Sequence, residues 1–175
     1  MMLTLNQMPQ PVIAKVQGIA TAAGCQLVAA CDLAVAADDS RFATSGINVG
    51  LFCSTPSVPV SRNLGRKQAM ELLLTGRWLD SSEAHKWGFV NEIIHPEKLL
   101  SRAYELATLI SSGPPLVISA IKQVVREAED KNFQDMLNRI TKRQVETVDK
   151  LYGSEDLLEG QLAFTEKRDP KWQGK

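Results

Sequence analysis

The chain has 175 residues, a length that suits one domain with a hydrophobic core. Hydrophobic residues make up 44% of it and charged residues 23%, as is usual for soluble globular proteins, and its 20 Lys and Arg residues balance its 20 Asp and Glu residues. This balance argues against nucleic acid as a partner, and no apolar stretch reaches the ~20 residues that a membrane span requires.

The cysteines, Cys25, Cys31 and Cys53, lie in apolar surroundings and show no zinc-binding spacing. This setting favours reduced, buried thiols, so we expect neither a disulfide nor a metal site. Because the chain begins without a basic segment followed by an apolar one, we expect no secretory signal. These features predict a cytoplasmic protein, and an organelle-targeting peptide upstream of Met1 stays open as the alternative.

The first half of the chain alternates between patterns typical of strands and of helices. Buried strands are expected at residues 11–18, 32–37, 41–44 and 89–95. Helices are expected at residues 22–31, 56–76 and 80–88, with glycines at 65, 76 and 88 as helix ends. Asp80 and Glu83 have the spacing of a capping box. A helix between two buried strands indicates a βαβ unit and a mainly parallel sheet, hence an α/β fold.

The last third of the chain has only helical patterns. A helix is expected to begin at Pro96, and further helices at residues 116–128, 133–152 and 154–169. Their apolar faces must pack on the chain's own sheet or on neighbouring subunits, and we favour the neighbours. We therefore expect an α/β core at residues 1–95 and a helical region at residues 96–175.

Residues 18–38 read GIATAAGCQLVAACDLAVAAD, with no acid before Asp32. A turn of small residues that leads into a helix leaves backbone N–H groups without partners, and these groups suit a negative charge. A dinucleotide site is disfavoured because the run lacks the G-x-G-x-x-G spacing. On the residues alone, an anion or oxyanion site and a tightly packed corner both stay open. Asp32 is expected to be structural, through hydrogen bonds at the end of the helix.

Three segments carry a resemblance to one family. Residues 15–51 (KVQGIATAAGCQLVAACDLAVAADDSRFATSGINVGL), 65–94 (GRKQAMELLLTGRWLDSSEAHKWGFVNEII) and 163–172 (AFTEKRDPKW) resemble the later part of the enoyl-CoA hydratase/isomerase, or crotonase, family. The resemblance implies an α/β, crotonase-like fold of stacked ββα turns with a helical C-terminal trimerisation region, and homotrimers or dimers of trimers. It implies an acyl-CoA or enoyl-CoA thioester as ligand and no covalently bound cofactor. By the same resemblance, the N-terminal part of the family's α/β core is expected to be absent from this chain.

The same resemblance assigns positions to the thioester and its chemistry. The backbone N–H of Ala23, beside Gly24 in the substrate-binding turn, corresponds to one of the family's two oxyanion donors. The family's two catalytic glutamates correspond to Gln26 and Gly46, neither of which can act as a general acid or base. Some isomerases use a carboxylate near the position where this chain has Ser54, which we expect to contact the substrate.

Phe164 and Lys167 lie in the closing FTEKR segment, where the family's last helix reaches a neighbouring subunit. The resemblance implies that they contact the adenine and the phosphates of coenzyme A, because an aromatic face stacks on a base and a lysine pairs with phosphate. The alternative is a helix with one buried Phe and an ordinary surface Lys. We favour the contact with coenzyme A.

Together these observations favour a crotonase-family protein of fatty-acid or related metabolism that binds an acyl-CoA or enoyl-CoA thioester. It is expected to be weak or inactive as a hydratase, because no acid between residues 40 and 63 replaces the lost carboxylates. Two other functions stay open: a non-enzymatic oligomerisation or regulatory subunit, and an active hydratase or isomerase with an acid from outside this chain. A nucleophilic Cys25 or Cys53 is disfavoured, since His85 and His95 are expected at the surface.

Overall fold

A computed structural model describes residues 1–175, and their contacts separate into two units. The first consists of Met1–Asn6 and Val12–Leu106, and the second of Gln7–Pro11 and Ala107–Lys175. The expected domain boundary, with an α/β core at residues 1–95 and a helical region at residues 96–175, stays a prediction. No helix of the chain has both the length and the apolar character that crossing a membrane requires.

Two three-stranded sheets lie in the first unit. Their strands, in chain order, are β1 (Ile13–Val16), β2 (Ile19–Thr21), β3 (Leu33–Ala37), β4 (Arg41–Ala43), β5 (Leu79–Asp80) and β6 (Glu92–Ile94). The first sheet has the order β1-β3-β6 and is fully parallel, with Ile13 opposite Leu33 and Val35 opposite Glu92. The second has the order β2-β4-β5, in which β2 is parallel and β5 antiparallel to β4. The chain passes from the first sheet to the second at Gly18, whose φ of 72° suits glycine.

Ten α-helices account for most of the remaining chain. They are α1 (Met2–Gln7), α2 (Ala23–Ala30), α3 (Ser54–Asn63), α4 (Arg66–Thr75), α5 (Ser81–Lys86), α6 (Pro96–Ser111), α7 (Pro115–Ala128), α8 (Phe133–Thr141), α9 (Glu146–Tyr152) and α10 (Glu155–Glu166). A short 3-10 helix, Ser45–Val49, precedes α3. The predicted alternation of strands and helices in the first half is confirmed. The strands β2 and β5 and the 3-10 helix were missed, because elements of two to five residues give little periodic signal.

The core of the first unit contains strands of small apolar residues and aromatic rings. Residues 34–37 of β3 are all buried, as a strand of a parallel sheet covered on both faces requires. The rings of Phe42 and Phe89 meet edge to face, with their centroids 5.4 Å apart. Asp32 has the structural role expected of it, because its Oδ2 atom accepts a hydrogen bond from the Val12 N–H at 2.7 Å.

Arg77 connects α4 to α5 through charged hydrogen bonds. Its guanidinium donates to both carboxylate oxygens of Glu83, at 2.8 and 2.5 Å, and to Glu71 at 2.8 Å. The bond from Arg77 is the main reason why the pKa of Glu83 lies below its ordinary value. Asp80 accepts the Glu83 N–H at 2.8 Å, but the Glu83 carboxylate turns to Arg77. Only half of the predicted capping box is therefore formed.

The single helix predicted over residues 133–152 is wrong. Helix α8 ends at Thr141, and α9 begins at Glu146. Between them Arg143 has a φ of 52° and its guanidinium lies 5.0 Å from the ring centroid of Tyr152. The break turns Val145 inward, where it is fully buried with residues of α7, α8 and α9. The apolar period continues across the break because Val145 belongs to the same core as the helices.

The residues after α10 fold back along that helix. Asp156, only 2% exposed, accepts the N–H groups of Gln173 at 2.7 Å and Gly174 at 2.8 Å. Trp172 packs against Gly160 so closely that a Cβ atom there would lie 3.1 Å from the indole ring. A buried carboxylate and a glycine thus hold the segment in place.

Ala22 joins β2 to α2 in a backbone conformation that is unfavourable for alanine. Its φ is 48° and its ψ is −112°. Its N–H donates to the carbonyl of Ala43 in β4, and its carbonyl accepts the N–H of Gln26, both at 3.0 Å. These two bonds hold the conformation, which lies in a region where side chains are strained.

We expect the Ala22→Gly variant to be more stable than the parent by about 1 kcal/mol. Relief of the strain at this φ contributes about 1–3 kcal/mol to stability. The greater entropy of glycine in the unfolded chain costs less, roughly 0.5–1 kcal/mol. Urea unfolding followed by circular dichroism measures the difference. Ala20→Gly is the control, since buried Ala20 has no positive φ and its loss should destabilise the chain. An Ala22→Gly variant less stable than the parent would contradict the expectation.

Candidate functional site

The start of α2 presents backbone donors that have no partner in the chain. The first hydrogen bond within the helix is from the Gln26 N–H to the Ala22 carbonyl, so the N–H groups of Ala23 and Gly24 remain free. Ala23 is exposed. A Cβ atom at Gly24 would contact only the Cβ atom of Ala20, at 3.9 Å, so the surface above this turn is open. Free donors at an accessible helix start can hold a carbonyl oxygen that gains negative charge.

Gln26 stands one turn further along α2, and Thr55 orients its side chain. The hydroxyl of Thr55 donates to the Oε1 atom of Gln26 at 3.0 Å. The Nε2 atom of Gln26 has no partner in the chain, and the residue is half-buried. The position therefore offers N–H donors and no ionisable group. Sequence reasoning missed Thr55, which lies 29 residues away in the chain and has no motif of its own.

Gly46 lies in the 3-10 helix at a place that has no room for a side chain. A Cβ atom there would come within 2.7 Å of the Cys53 Sγ atom and 2.9 Å of the Leu51 carbonyl oxygen. The Gly46 N–H donates to that same Sγ atom at 3.3 Å. The thiol of Cys53 thus fills the space that a side chain at position 46 would need.

The remaining polar groups of this region serve the fold. Thr44 is fully buried and its hydroxyl donates to the Leu72 carbonyl at 3.0 Å. The hydroxyls of Thr21 and Ser45 share a hydrogen bond of 3.1 Å. Ser54 begins α3 and is exposed, and its N–H donates to the Phe52 carbonyl at 2.7 Å. The region thus consists of neutral groups, and the substrate contact expected of Ser54 stays a prediction.

The end of the 3-10 helix and the loop between it and α3 carry exposed apolar side chains. Val49 is 73% exposed, Leu51 66% and Phe52 77%. Large apolar residues exposed together mark a surface that contacts a ligand or another protein. This loop connects Gly46 with Thr55, so an apolar surface adjoins the neutral polar groups described above.

The cysteines differ in reactivity. Cys25 is fully buried, and burial together with the neighbouring Cys53 raises its pKa to about 12. The expected burial of all three thiols is wrong for Cys31 and Cys53, which are half-buried, although none forms a disulfide. His85 and His95 are exposed, as expected. A thiolate at Cys25 is therefore disfavoured at neutral pH.

Phe164 and Lys167 belong to the second unit. Phe164 is 87% exposed, so the alternative of a buried Phe is wrong. It lies in the wall of a largely apolar cavity of about 290 Å³ that Trp172 also lines. Lys167 is exposed and ends α10 with a φ of 56°. Their contact with coenzyme A stays a prediction.

A second cavity of the same unit, of about 430 Å³, lies beside α10 and the returning segment. Arg168 in its wall donates to both oxygens of Glu159, at 2.6 and 2.8 Å, and holds the pKa of that carboxyl down at about 2. Arg168 and Glu159 are thus engaged with each other and connect α10 to the segment that follows it.

Comparisons with known proteins cover almost the whole chain. The family described as enoyl-CoA hydratase/isomerase matches residues 1–175. The chain is 42% identical to the mitochondrial enoyl-CoA hydratase domain-containing protein 3 of Xenopus laevis, over 98% of this chain and 57% of that protein. It is 34% identical to the carnitinyl-CoA dehydratase of Salmonella arizonae, over 97% of this chain and 66% of that protein.

Its structure resembles that of an enoyl-CoA hydratase from Mycobacterium smegmatis, with a TM-score of 0.90 and 43% identity over 98% of this chain and 65% of the other. This likeness confirms the predicted α/β, crotonase-like fold. The chain spans between one half and two thirds of the length of each of these three relatives.

The burial of the thiols predicts their order of alkylation. At pH 8, iodoacetamide should modify Cys53 before Cys25, because Cys25 is inaccessible and its pKa of about 12 keeps it protonated. Peptide mass spectrometry over time measures both sites, and unfolding in urea should equalise them. Raising the pH toward 10 should leave Cys25 protected in the folded chain. Modification of Cys25 first would contradict its burial.

Proposed function

Since the chain belongs to the enoyl-CoA hydratase/isomerase family, we propose that it binds an acyl-CoA or enoyl-CoA thioester and is weak or inactive as a hydratase. The thioester carbonyl is held by the Ala23 N–H, with Gly24 allowing its close approach. One such donor is worth about 3 kcal/mol in enzymes that use it. Coenzyme A is here part of the substrate, and no covalently bound cofactor is proposed.

The closed position of Gly46 is the observation that carries this proposal. Hydration of an enoyl thioester needs groups that hold water and move its proton. Gln26 can hold water but cannot take the proton at neutral pH, and at Gly46 the thiol of Cys53 fills the space. Loss of one general acid or base lowers a rate by ~10² to 10⁴, and both positions are affected here.

A second candidate is a non-enzymatic subunit that oligomerises or regulates a crotonase-type assembly. The observation that favours it is the exposed apolar surface of α10, where Leu158 is 60%, Leu162 54% and Phe164 87% exposed. Helices with such faces are covered in assemblies, which supports a homotrimer or a dimer of trimers. An active enzyme that takes its acid from outside this chain is the remaining candidate.

The proposed setting is fatty-acid or related acyl-CoA metabolism. Cysteines that form no disulfide favour a reducing compartment such as the cytoplasm. The relative from Xenopus laevis is named as a mitochondrial protein, so location in an organelle is the competing proposal.

Calorimetric titration tests whether the chain binds a thioester. We expect butyryl-CoA to bind more tightly than free coenzyme A, and crotonyl-CoA to be hydrated no faster than in buffer. The Ala23→Pro variant removes the N–H at the first helical position, where proline is tolerated, and should reduce the preference for butyryl-CoA roughly three- to tenfold.

Ala23→Gly keeps that N–H and serves as the matched control. Equal affinities for butyryl-CoA and coenzyme A would remove the binding proposal and favour the non-enzymatic subunit. Hydration at ordinary enzyme rates, about 1–10³ per second, would show that an acid is supplied from elsewhere.

Variants of α10 test the contact with coenzyme A. Phe164→Ala should weaken binding of free coenzyme A about tenfold, because stacking on a base is lost. Lys167→Gly removes one charge and places glycine at a φ of 56°, so affinity should fall up to about fivefold without loss of stability. Lys142→Ala, an exposed lysine after α8, is the control. Unchanged affinity in both variants would assign Phe164 and Lys167 no role in binding.

A further inference from the structure

The side-chain amide of Gln26 is oriented by Thr55 and has free donors. Its Oε1 atom already accepts the Thr55 hydroxyl at 3.0 Å, which leaves the Nε2 atom and its two N–H groups free. A hydrogen bond from the Nε2 atom to a ligand ends on an acceptor oxygen. A water molecule about to lose its proton would need a base here, and none is present.

The free amide lies on the same helix as the proposed thioester donor. Ala23 and Gln26 are three residues apart in α2, so they share a face and differ by about 4.5 Å along the axis. Helical side chains lean toward the N-terminus, which brings the Gln26 amide back toward the turn of Ala23. A ligand with two oxygens on carbons separated by a single carbon can offer one acceptor to each of these two donors.

The charge of the surroundings also suits a carbonyl oxygen. Residues 40–63 contain no acid, and the thiol of Cys53 fills the space at Gly46, which corresponds to one of the family's glutamates. A carboxylate there would repel the partial negative charge of a second carbonyl group. Neutral donors do not repel that partial negative charge.

We propose that Gln26, oriented by Thr55, makes this site selective for 3-oxoacyl thioesters of coenzyme A. The thioester oxygen binds at Ala23 and the C3 oxygen accepts a hydrogen bond from the Gln26 Nε2 atom. This inference rests on the proposed function and names the substrate class of the same site. Gln26 contacts the ligand, and Thr55 is a positioning residue.

Titration calorimetry of the full chain with acetoacetyl-CoA, butyryl-CoA and free coenzyme A at pH 7 tests the selectivity. Butyryl-CoA has the same chain length and lacks the C3 oxygen. One hydrogen bond at a half-exposed site predicts that acetoacetyl-CoA binds about five- to tenfold more tightly than butyryl-CoA.

Two variants distinguish the roles of the side chains. Gln26→Glu keeps the bond from Thr55 but replaces the free donor by a carboxylate oxygen, so it should abolish or reverse the preference for acetoacetyl-CoA. Thr55→Val releases the amide and should lower the preference below about threefold while leaving the affinity for free coenzyme A unchanged. Thr141→Val, whose hydroxyl donates to the Leu137 carbonyl at 2.9 Å, is the matched control.

The outcomes separate this inference from the function on which it rests. If butyryl-CoA and acetoacetyl-CoA bind equally well and both bind more tightly than coenzyme A, the inference is wrong and the thioester proposal stands. A preference that survives in Gln26→Glu also overturns the inference. If neither thioester binds more tightly than coenzyme A, both proposals fail.

Discussion

The backbone of Ala22 is the constraint on which the arrangement of the first unit depends. Its N–H is bound to β4 and its carbonyl to the first turn of α2, so one residue fixes the strand, the helix and the angle between them. The conformation is costly for alanine, and two hydrogen bonds within the unit hold it. Small residues on both sides are a consequence, because the helix starts directly above the second sheet. The N–H groups of Ala23 and Gly24 remain without partners in the chain, since the first bond of the helix begins at Gln26.

The candidate site differs from an acid–base site in the kind of groups it presents. Around the start of α2 the structure offers backbone N–H groups, an amide, hydroxyls and a thiol. The thiol of Cys53 and the carbonyl of Leu51 fill the space that a side chain at Gly46 would need. A site of this kind can recognise oxygen acceptors and has little means of moving protons.

The second unit is organised by buried polar groups as well as by apolar packing. Asp156 is almost fully buried and is bound by two backbone N–H groups of the returning segment, an arrangement that stabilises a carboxylate away from water. Lys122, only 8% exposed, donates to the Gln10 carbonyl at 2.9 Å. Such bonds fix the direction of segments that hydrophobic contact alone would leave undefined.

Periodicity and turn chemistry were sufficient to predict the order of most elements, because β3, α4 and α7 follow patterns that any local window contains. The motifs of residues 15–51, 65–94 and 163–172 likewise predicted the family, which is confirmed, whereas the roles assigned to Ala23, Gln26 and Gly46 stay predictions. The helix break at Arg143 could not be predicted from the sequence. Val145 continues the apolar period although the backbone there is no longer helical.

Only the tertiary structure decided which atoms meet at the site. It brought Thr55 to Gln26 and Cys53 to Gly46 from segments 29 and 7 residues away. The sequence determined which chemical groups the protein possesses, because each residue's chemistry is local. The fold alone decided which of these groups are free, since a donor or an acceptor is used up by whatever neighbour the packing provides.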